Sequence, residues 1–280
     1  DSVKSQVYNN EFENETSIAA VRETRGLCIV YGNKVINANF FSTSAGYTAN
    51  AGEVWADSST KQFPAKTPPY LAGVKQYSGA DFGDLSSEGN AEAFFKTVDI
   101  ESFDREYPWF RWNVRMTAQE LTASINAALQ EVSEENTYMV SAPWPQDIGR
   151  LSNISVMDRG EGGNIKEILI SGENGKITVK TEYLIRKLLA PKSSGGEPIR
   201  LNFHDGSSIM DYSIMPSAFF VMSREYEGGA LSAITFYGGG NGHGVGLSQN
   251  GARGMLLKGY TVRQVLEHYY TGATLRQVLS

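Results

Sequence analysis

The sequence predicts an α+β fold, with mixed and antiparallel sheets and a few helices arranged in two intertwined lobes. Apolar runs at residues 154–157, 165–170 and 177–179 are separated by turn residues at 160–163 and at Asn174-Gly175, the pattern of a β-meander. Two capping boxes, Thr117-Ala118-Gln119-Glu120 and Thr261-Val262-Arg263-Gln264, each open a helical pattern. No fixed-period repeat and no clean linker divides the 280 residues, so the halves are expected to be knitted together.

The first element is a hairpin over residues 26–41, with apolar runs 27–31 and 35–41 joined at Gly32-Asn33, residues that tolerate positive φ. Residues 41–48 then turn small and polar and read as an ordered loop. Residues 64–69 are rich in turn formers, and residues 81–88 are acidic, Gly-containing and expected to be exposed. The first capping box starts a helix that carries Leu121, Ile125 and Leu129 at four-residue spacing, with Trp109, Phe110 and Trp112 expected to pack against it. After the meander, Tyr183, Leu184, Lys187 and Leu188 suggest a short amphipathic helix, followed by strands at 218–222 and 231–237. A helix over 252–257 is closed by Gly259, and the last helix carries Val265, Leu266 and Tyr269 and stops near Gly272.

Composition narrows the function. With 41% hydrophobic and 20% charged residues the chain has material for a core, which excludes disorder as the main state. No apolar run approaches the roughly 20 residues of a membrane span. Lys and Arg total 25 against 31 Asp and Glu, a net charge of −6 with no basic cluster, so a nucleic-acid partner is excluded. The single cysteine, Cys28, sits in an apolar run and reads as a small buried hydrophobe; neither an internal disulfide nor a cysteine zinc site is available.

The chemistry concentrates in two loops. Six of the nine positions from 238 to 246 are glycine, a density that implies positive φ or close approach to another segment or a ligand. The run is not a dinucleotide loop, because G-x-G-x-x-G registers end on His243 or Val245. It is not a nucleophile elbow either, because Gly246-Leu247-Ser248-Gln249-Asn250-Gly251 is one residue too long. Of the three histidines, His204 lies in a polar turn and reads as solvated, and His268, near the end of the last helix, reads as structural. None is paired at metal-ligand spacing. His243 is flanked by glycines that leave its ring uncovered and is the functional candidate; the competing reading is a hydrogen bond that fixes the loop. Ser42, Ser44, Tyr47 and Thr48 follow a strand and, with Trp55 nearby for stacking, suit a polyhydroxylated ligand, against the plainer reading of a Ser/Thr turn.

The run Gly242-His243-Gly244-Val245-Gly246-Leu247-Ser248-Gln249-Asn250-Gly251-Ala252 resembles the signature of the stage II sporulation protein D / amidase enhancer family. The likeness continues through Gly259-Tyr260 and Leu266-Glu267-His268-Tyr269-Tyr270-Thr271-Gly272. Gln6-Val7-Tyr8, Thr24-Arg25-Gly26, the segment from Ser42 to Thr48 and Glu53-Val54-Trp55 stand in family order. The resemblance implies a peptidoglycan-acting protein of Gram-positive, often spore-forming bacteria, extracytoplasmic, in the cell wall or on the outer face of the membrane. It implies a lytic transglycosylase that cleaves N-acetylmuramic acid to N-acetylglucosamine bonds, with the two loops lining a glycan cleft between the lobes. The substrate-binding set would be Gln6, Tyr8, Ser42, Ser44, Tyr47, Thr48, Trp55, His243, Ser248 and Gln249. The partners would be glycan strands and other cell-wall hydrolases, with membrane contact only through a segment not in this chain. The alternative is a non-catalytic glycan-binding or amidase-activating module.

Two departures qualify the likeness. The family's acid is a Glu in a Glu-Met-Pro segment before the Gln-Val-Tyr region; this sequence has none, and its one Met-Pro, Met215-Pro216, follows Ile214. The expectation is a single domain over residues 1–280 whose first segment was cut away, with Glu53 as the replacement catalytic candidate against the reading of a solvated turn residue. Some relatives carry His and Cys for zinc in the serine loop; Phe41 and Ala45 stand there, so neither zinc nor any cofactor is expected.

Overall fold

The computed structural model describes residues 12–141 and 143–278. It has an α+β fold that divides into two compact units, one of residues 1–37 with 273–280 and one of residues 38–272.

In the first unit the helix Glu15–Glu23 is capped by Asn14, whose side chain accepts the Ser17 N–H, and it buries none of its residues. The strand Leu27–Tyr31 is the centre of an antiparallel sheet, with Lys34–Val35 on one side and Thr274–Gln277 on the other. The hairpin turns at Gly32, φ +61°, as the sequence predicts. Its second strand is shorter than expected and ends at Val35. Cys28 is half-buried rather than buried.

The second unit is built on a five-stranded antiparallel sheet in the order Ser208–Met210, Arg200–Phe203, Trp112–Thr117, Ala230–Gly238, Phe220–Glu227. Its central strand is an addition to the expected elements: Trp112, ahead of the helix as expected and in the same core, opens a strand of the sheet. Trp112, Val114 and Met116 are buried, while Asn113 and Arg115 alternate outward. The helix Ala118–Glu135 follows with both arms of its capping box formed, and Leu121, Ile125 and Leu129 fully buried. The meander appears as Leu151–Arg159, Ile165–Gly172 and Gly175–Lys180. Helix, meander, central sheet and the short helix Glu182–Leu188 share one apolar core that includes Met116, Leu129, Ile154, Ile168, Leu188 and Phe236. Each such aliphatic side chain contributes roughly 1.5–3 kcal/mol on burial.

A second helix that the sequence did not announce, Glu88–Lys96, buries Ala91, Phe94 and Phe95. The acidic stretch before it is mostly exposed but anchors Leu85, 1% exposed. The helices Gln249–Leu257 and Val262–Tyr269 close the unit, the first starting three residues earlier than expected because Ser248 caps it, accepting the Gly251 N–H. No helix of the described residues is long and apolar enough to cross a membrane.

Candidate functional site

The serine loop and the glycine loop run side by side. Thr43 and Asn241 exchange backbone hydrogen bonds, 3.2 and 2.9 Å, and the Ala49 N–H donates to the Gly244 carbonyl at 2.7 Å. Phe40–Phe41 pairs in parallel with Leu247–Ser248. This contact explains the glycines: a Cβ on Gly246, φ +75°, would lie 2.1 Å from the Asn39 carbonyl oxygen, and one on Gly240, φ +78°, 2.8 Å from that of Thr43. The run serves close packing, against the serine loop at Gly240 and Gly242 and against Trp112, Phe110 and Phe219 at Gly238, Gly239 and Gly244.

Asp104 lies under this seam. Its Oδ1 accepts the Ser44 N–H at 2.9 Å and the Ser248 hydroxyl, while Ser248 Oγ in turn accepts from the Ser44 N–H at 3.0 Å. Burial pushes the Asp104 carboxyl up to about 7, and the hydrogen bonds from Ser248, Ser44 and Gly251 offset part of that rise. Asp104 Oδ2 and the Tyr269 hydroxyl find no hydrogen-bond partner among the described residues. Both flank Gly251, where a Cβ would stand 2.5 Å from the first and 2.2 Å from the second. Asp104 carried no sequence signal, since its partner Ser248 is 144 positions away.

The seam redefines the polar candidates. Ser44, Thr48 and Ser248 are each 0% exposed. Thr48 Oγ1 accepts the Val74 N–H at 2.8 Å, so all three hold the scaffold where the sequence offered them to a ligand, and residues 41–48 are a largely buried segment rather than an open polar loop. What stays accessible is Ser42, Tyr47 and Trp55, all half-buried, and Gln249, which is exposed. Gln6 and Tyr8 lie outside the described residues.

His243 is half-buried at the edge of the seam. Its ring packs on Trp55, centroids 5.0 Å apart, and on Phe41 at 5.7 Å, and its Nδ1 accepts the Val245 N–H at 3.1 Å. Burial lowers its pKa, with Glu182 opposing and Arg186 adding to the drop, so the imidazole is neutral at pH 7. Glu182 and Arg186 form a buried ion pair at 2.8 Å, legible only as an i,i+4 spacing, and Arg186 also donates to the Met215 carbonyl. The other histidines are fixed. His204, expected to be solvated, is held by the Pro108 and Arg105 carbonyls at 3.1 Å each and by the edge of Phe110. His268 Nε2 bonds the Gln76 amide at 2.8 Å.

Glu53 follows a different direction from Trp55, two residues on. Its carboxylate turns to the hairpin between the first two meander strands, where Oε1 accepts weakly from the Glu161 N–H at 3.5 Å and Oε2 has no partner among the described residues. A Cβ on Gly160 would lie 2.3 Å from that Oε2 and 2.4 Å from Asn164 Oδ1. Glu53 lines a pocket of about 560 Å³ with Tyr47, Asp84, Arg159, Glu161 and Lys166.

Comparison with known proteins adds the following. The family model described as "Domain of unknown function (DUF8618)" matches residues 57–196, half of the chain. The amidase enhancer of Bacillus subtilis (strain 168) is 23% identical over 98% of this chain and 34% of its own length. Stage II sporulation protein D of the same strain is 25% identical over 92% of this chain and 50% of its own, and the protein of that name from Bacillus amyloliquefaciens matches equally. The chain spans a third to a half of the length of these curated relatives. Their names are those of the family that the glycine-loop signature resembles.

Proposed function

Because the chain belongs to the family of domains of unknown function matched over residues 57–196, and is similar along nearly its whole length to an amidase enhancer and to stage II sporulation protein D, we propose that it acts on the glycan strands of peptidoglycan outside the cytoplasmic membrane. The observation that carries this reading is the Trp55–His243 ring pair at the accessible edge of the two-loop seam. An aromatic face suits the apolar face of a pyranose, and Ser42 and Gln249 along the same seam offer hydrogen bonds to its hydroxyls. The neutral imidazole of His243, bonded within the chain to the Val245 N–H and to the Phe40 backbone, takes part through its ring beside Trp55 rather than as a fixed charge.

The finer reading is lytic transglycosylation. A carboxylic acid donates its proton to the glycosidic oxygen between N-acetylmuramic acid and N-acetylglucosamine, the C6 hydroxyl of the muramic residue bonds to its own anomeric carbon, and the bond to the leaving sugar breaks. The hydroxyl proton returns to the carboxylate, and a 1,6-anhydro end remains without any attacking water. Glu53 is the acid this reading tests, since it shares the 51–55 segment with Trp55 and has an oxygen free of partners. A second reading, a glycan-binding module that activates a wall amidase, draws support from the 98% coverage in the match to the amidase enhancer and from the turn of Glu53 toward Gly160 rather than toward Trp55.

The experiment is incubation of the chain with purified glycan strands, with binding measured by co-sedimentation and products read by mass spectrometry. Anhydro ends made by the native chain and lost in Glu53→Gln support the transglycosylase. Binding without product supports the module. Binding that is absent, or unchanged in both Trp55→Ala and His243→Ala, overturns the glycan reading.

A further inference from the structure

The pocket around Glu53 holds more negative charge than its own cations neutralise. Arg159 is taken by Glu88 at 2.6 Å and by the Gly163 and Phe220 carbonyls, and Lys166 is taken by Asp158 at 2.9 Å. Glu53, Asp84 and Glu161 remain. Asp84 is kept charged by the N–H and hydroxyl of Ser86, which hold its pKa below the usual range. The Tyr47 phenol faces all three: its pKa is raised by burial first, and then by Glu161, Tyr77, Glu53 and Asp84.

An independent observation shows hydrogen-bonding groups left unpaired beside this pocket. Asn164 is fully buried, yet neither its Oδ1 nor its Nδ2 has a partner among the described residues, and Glu53 Oε2 beside it has none either. Buried polar groups left without partners cost free energy that a bound ligand recovers. Glu53 Oε2 and the Asn164 Oδ1 and Nδ2 converge over Gly160, where a Cβ would stand 2.3, 2.4 and 2.7 Å from them. Carboxylate and amide oxygens beside a tyrosine ring are the partners of an alkylammonium group.

We propose that Glu53 and Asn164, with Glu161, Asp84 and Tyr47 around them, bind a primary ammonium group carried by the wall polymer. The ammonium site rests on this geometry alone, and only the identity of the polymer rests on the peptidoglycan reading above. In peptidoglycan such a group is either the free amine of a de-N-acetylated sugar or the side-chain amine of a stem-peptide diamino acid. On this assignment Glu53→Gln lowers affinity for amine-bearing strands.

The test has two parts. Ethylammonium chloride titrated into isotopically labelled chain should give saturable NMR shifts at the Gly160 and Glu161 amides and at the Asn164 side chain, lost in Glu53→Gln and in Gly160→Ala. Glu53→Gln preserves shape, so loss of fold in the glycine variant does not blunt the test. No saturable shift, or the same shift from calcium chloride and none from ethylammonium, overturns the site. Calorimetry then compares a β-1,4-glucosamine hexamer with its N-acetylated twin, and a diamino-acid muropeptide with its side-chain-acetylated form. The amine should win by about tenfold, ~1.4 kcal/mol, in one of these pairs, which names the source. Equal affinity in both pairs overturns recognition of the wall polymer. Failure of the N-acetylated hexamer to bind counts against the glycan reading and leaves the ethylammonium result standing.

Discussion

The seam between the two loops and the pocket around Glu53 lie in the same unit of the molecule, and they satisfy buried polarity to different degrees. Along the seam, backbone groups pair across the loops and Asp104 Oδ1 gathers an N–H and a hydroxyl from either side, with only its Oδ2 and the Tyr269 hydroxyl beneath them open. In the pocket, a fully buried asparagine amide and a carboxylate oxygen stay open. The difference separates polar residues that hold a shape from polar residues that wait for a ligand, although both sets looked alike as Ser, Thr, Asn and Glu in loops.

Substitutions can break or sharpen that contrast. The largest effect is expected from Asp104→Ala, which strands the Ser248 hydroxyl inside the protein and leaves the Ser44 N–H with Ser248 Oγ as its one acceptor; a loss of about 3 kcal/mol in chemical denaturation is expected. An unchanged midpoint would remove Asp104 from the role of keystone. Gly246→Ala comes next, at about 1–2 kcal/mol from the positive φ alone, with the contact to the Asn39 carbonyl adding to it. Trp55–His243 packing should loosen with it, visible in tryptophan emission.

A pH series gives the third effect. The folded pKa of Asp104, about 7, lies above the ordinary aspartate value of about 3.9, so the folded state binds the proton more tightly. Its contribution to stability is complete below about pH 4 and declines as pH rises toward 7, with a slope of at most about 1.4 kcal/mol per pH unit. Asp104→Asn should flatten that part of the stability curve; the same slope in the variant would assign the effect elsewhere. The smallest expected effect is that of Glu53→Gln, within about 0.5 kcal/mol of the native stability, because the pocket group has no strong internal partner to lose. A large drop in melting temperature would turn the pocket into another piece of scaffold.

Much of the fold was written locally. The capping boxes at Thr117 and Thr261 state where helices begin, and both form as spelled. The meander follows from apolar runs and turn residues within some thirty positions of one another. The central strand carries a local signal too, Trp112, Val114 and Met116 alternating with Asn113 and Arg115, but the aromatics at 109 and 110 and the capping box that follows overlie it. The helix Glu88–Lys96 was masked by its acidic start and by Gly89. The site was legible only in part. His243 and Trp55 were singled out separately, and the structure brings their rings together. That Ser44 and Ser248 face inward depends on Asp104, and that Glu53 meets Gly160 and Asn164 depends on a contact across more than a hundred residues. No local pattern encodes either.

The pairing of Phe40–Phe41 with Leu247–Ser248 also has a kinetic consequence. Ser44 and Ser248 are 204 positions apart, and closing a loop of that length costs entropy before any contact repays it. The meander forms from much nearer neighbours, whereas the central sheet also joins residues more than a hundred positions apart, so a refolding chain is expected to close its seam after its meander. A partly folded molecule can therefore carry near-native secondary structure while Trp55 and His243 are still apart. Return of that ring contact marks the completion of folding, later than any signal from the helices.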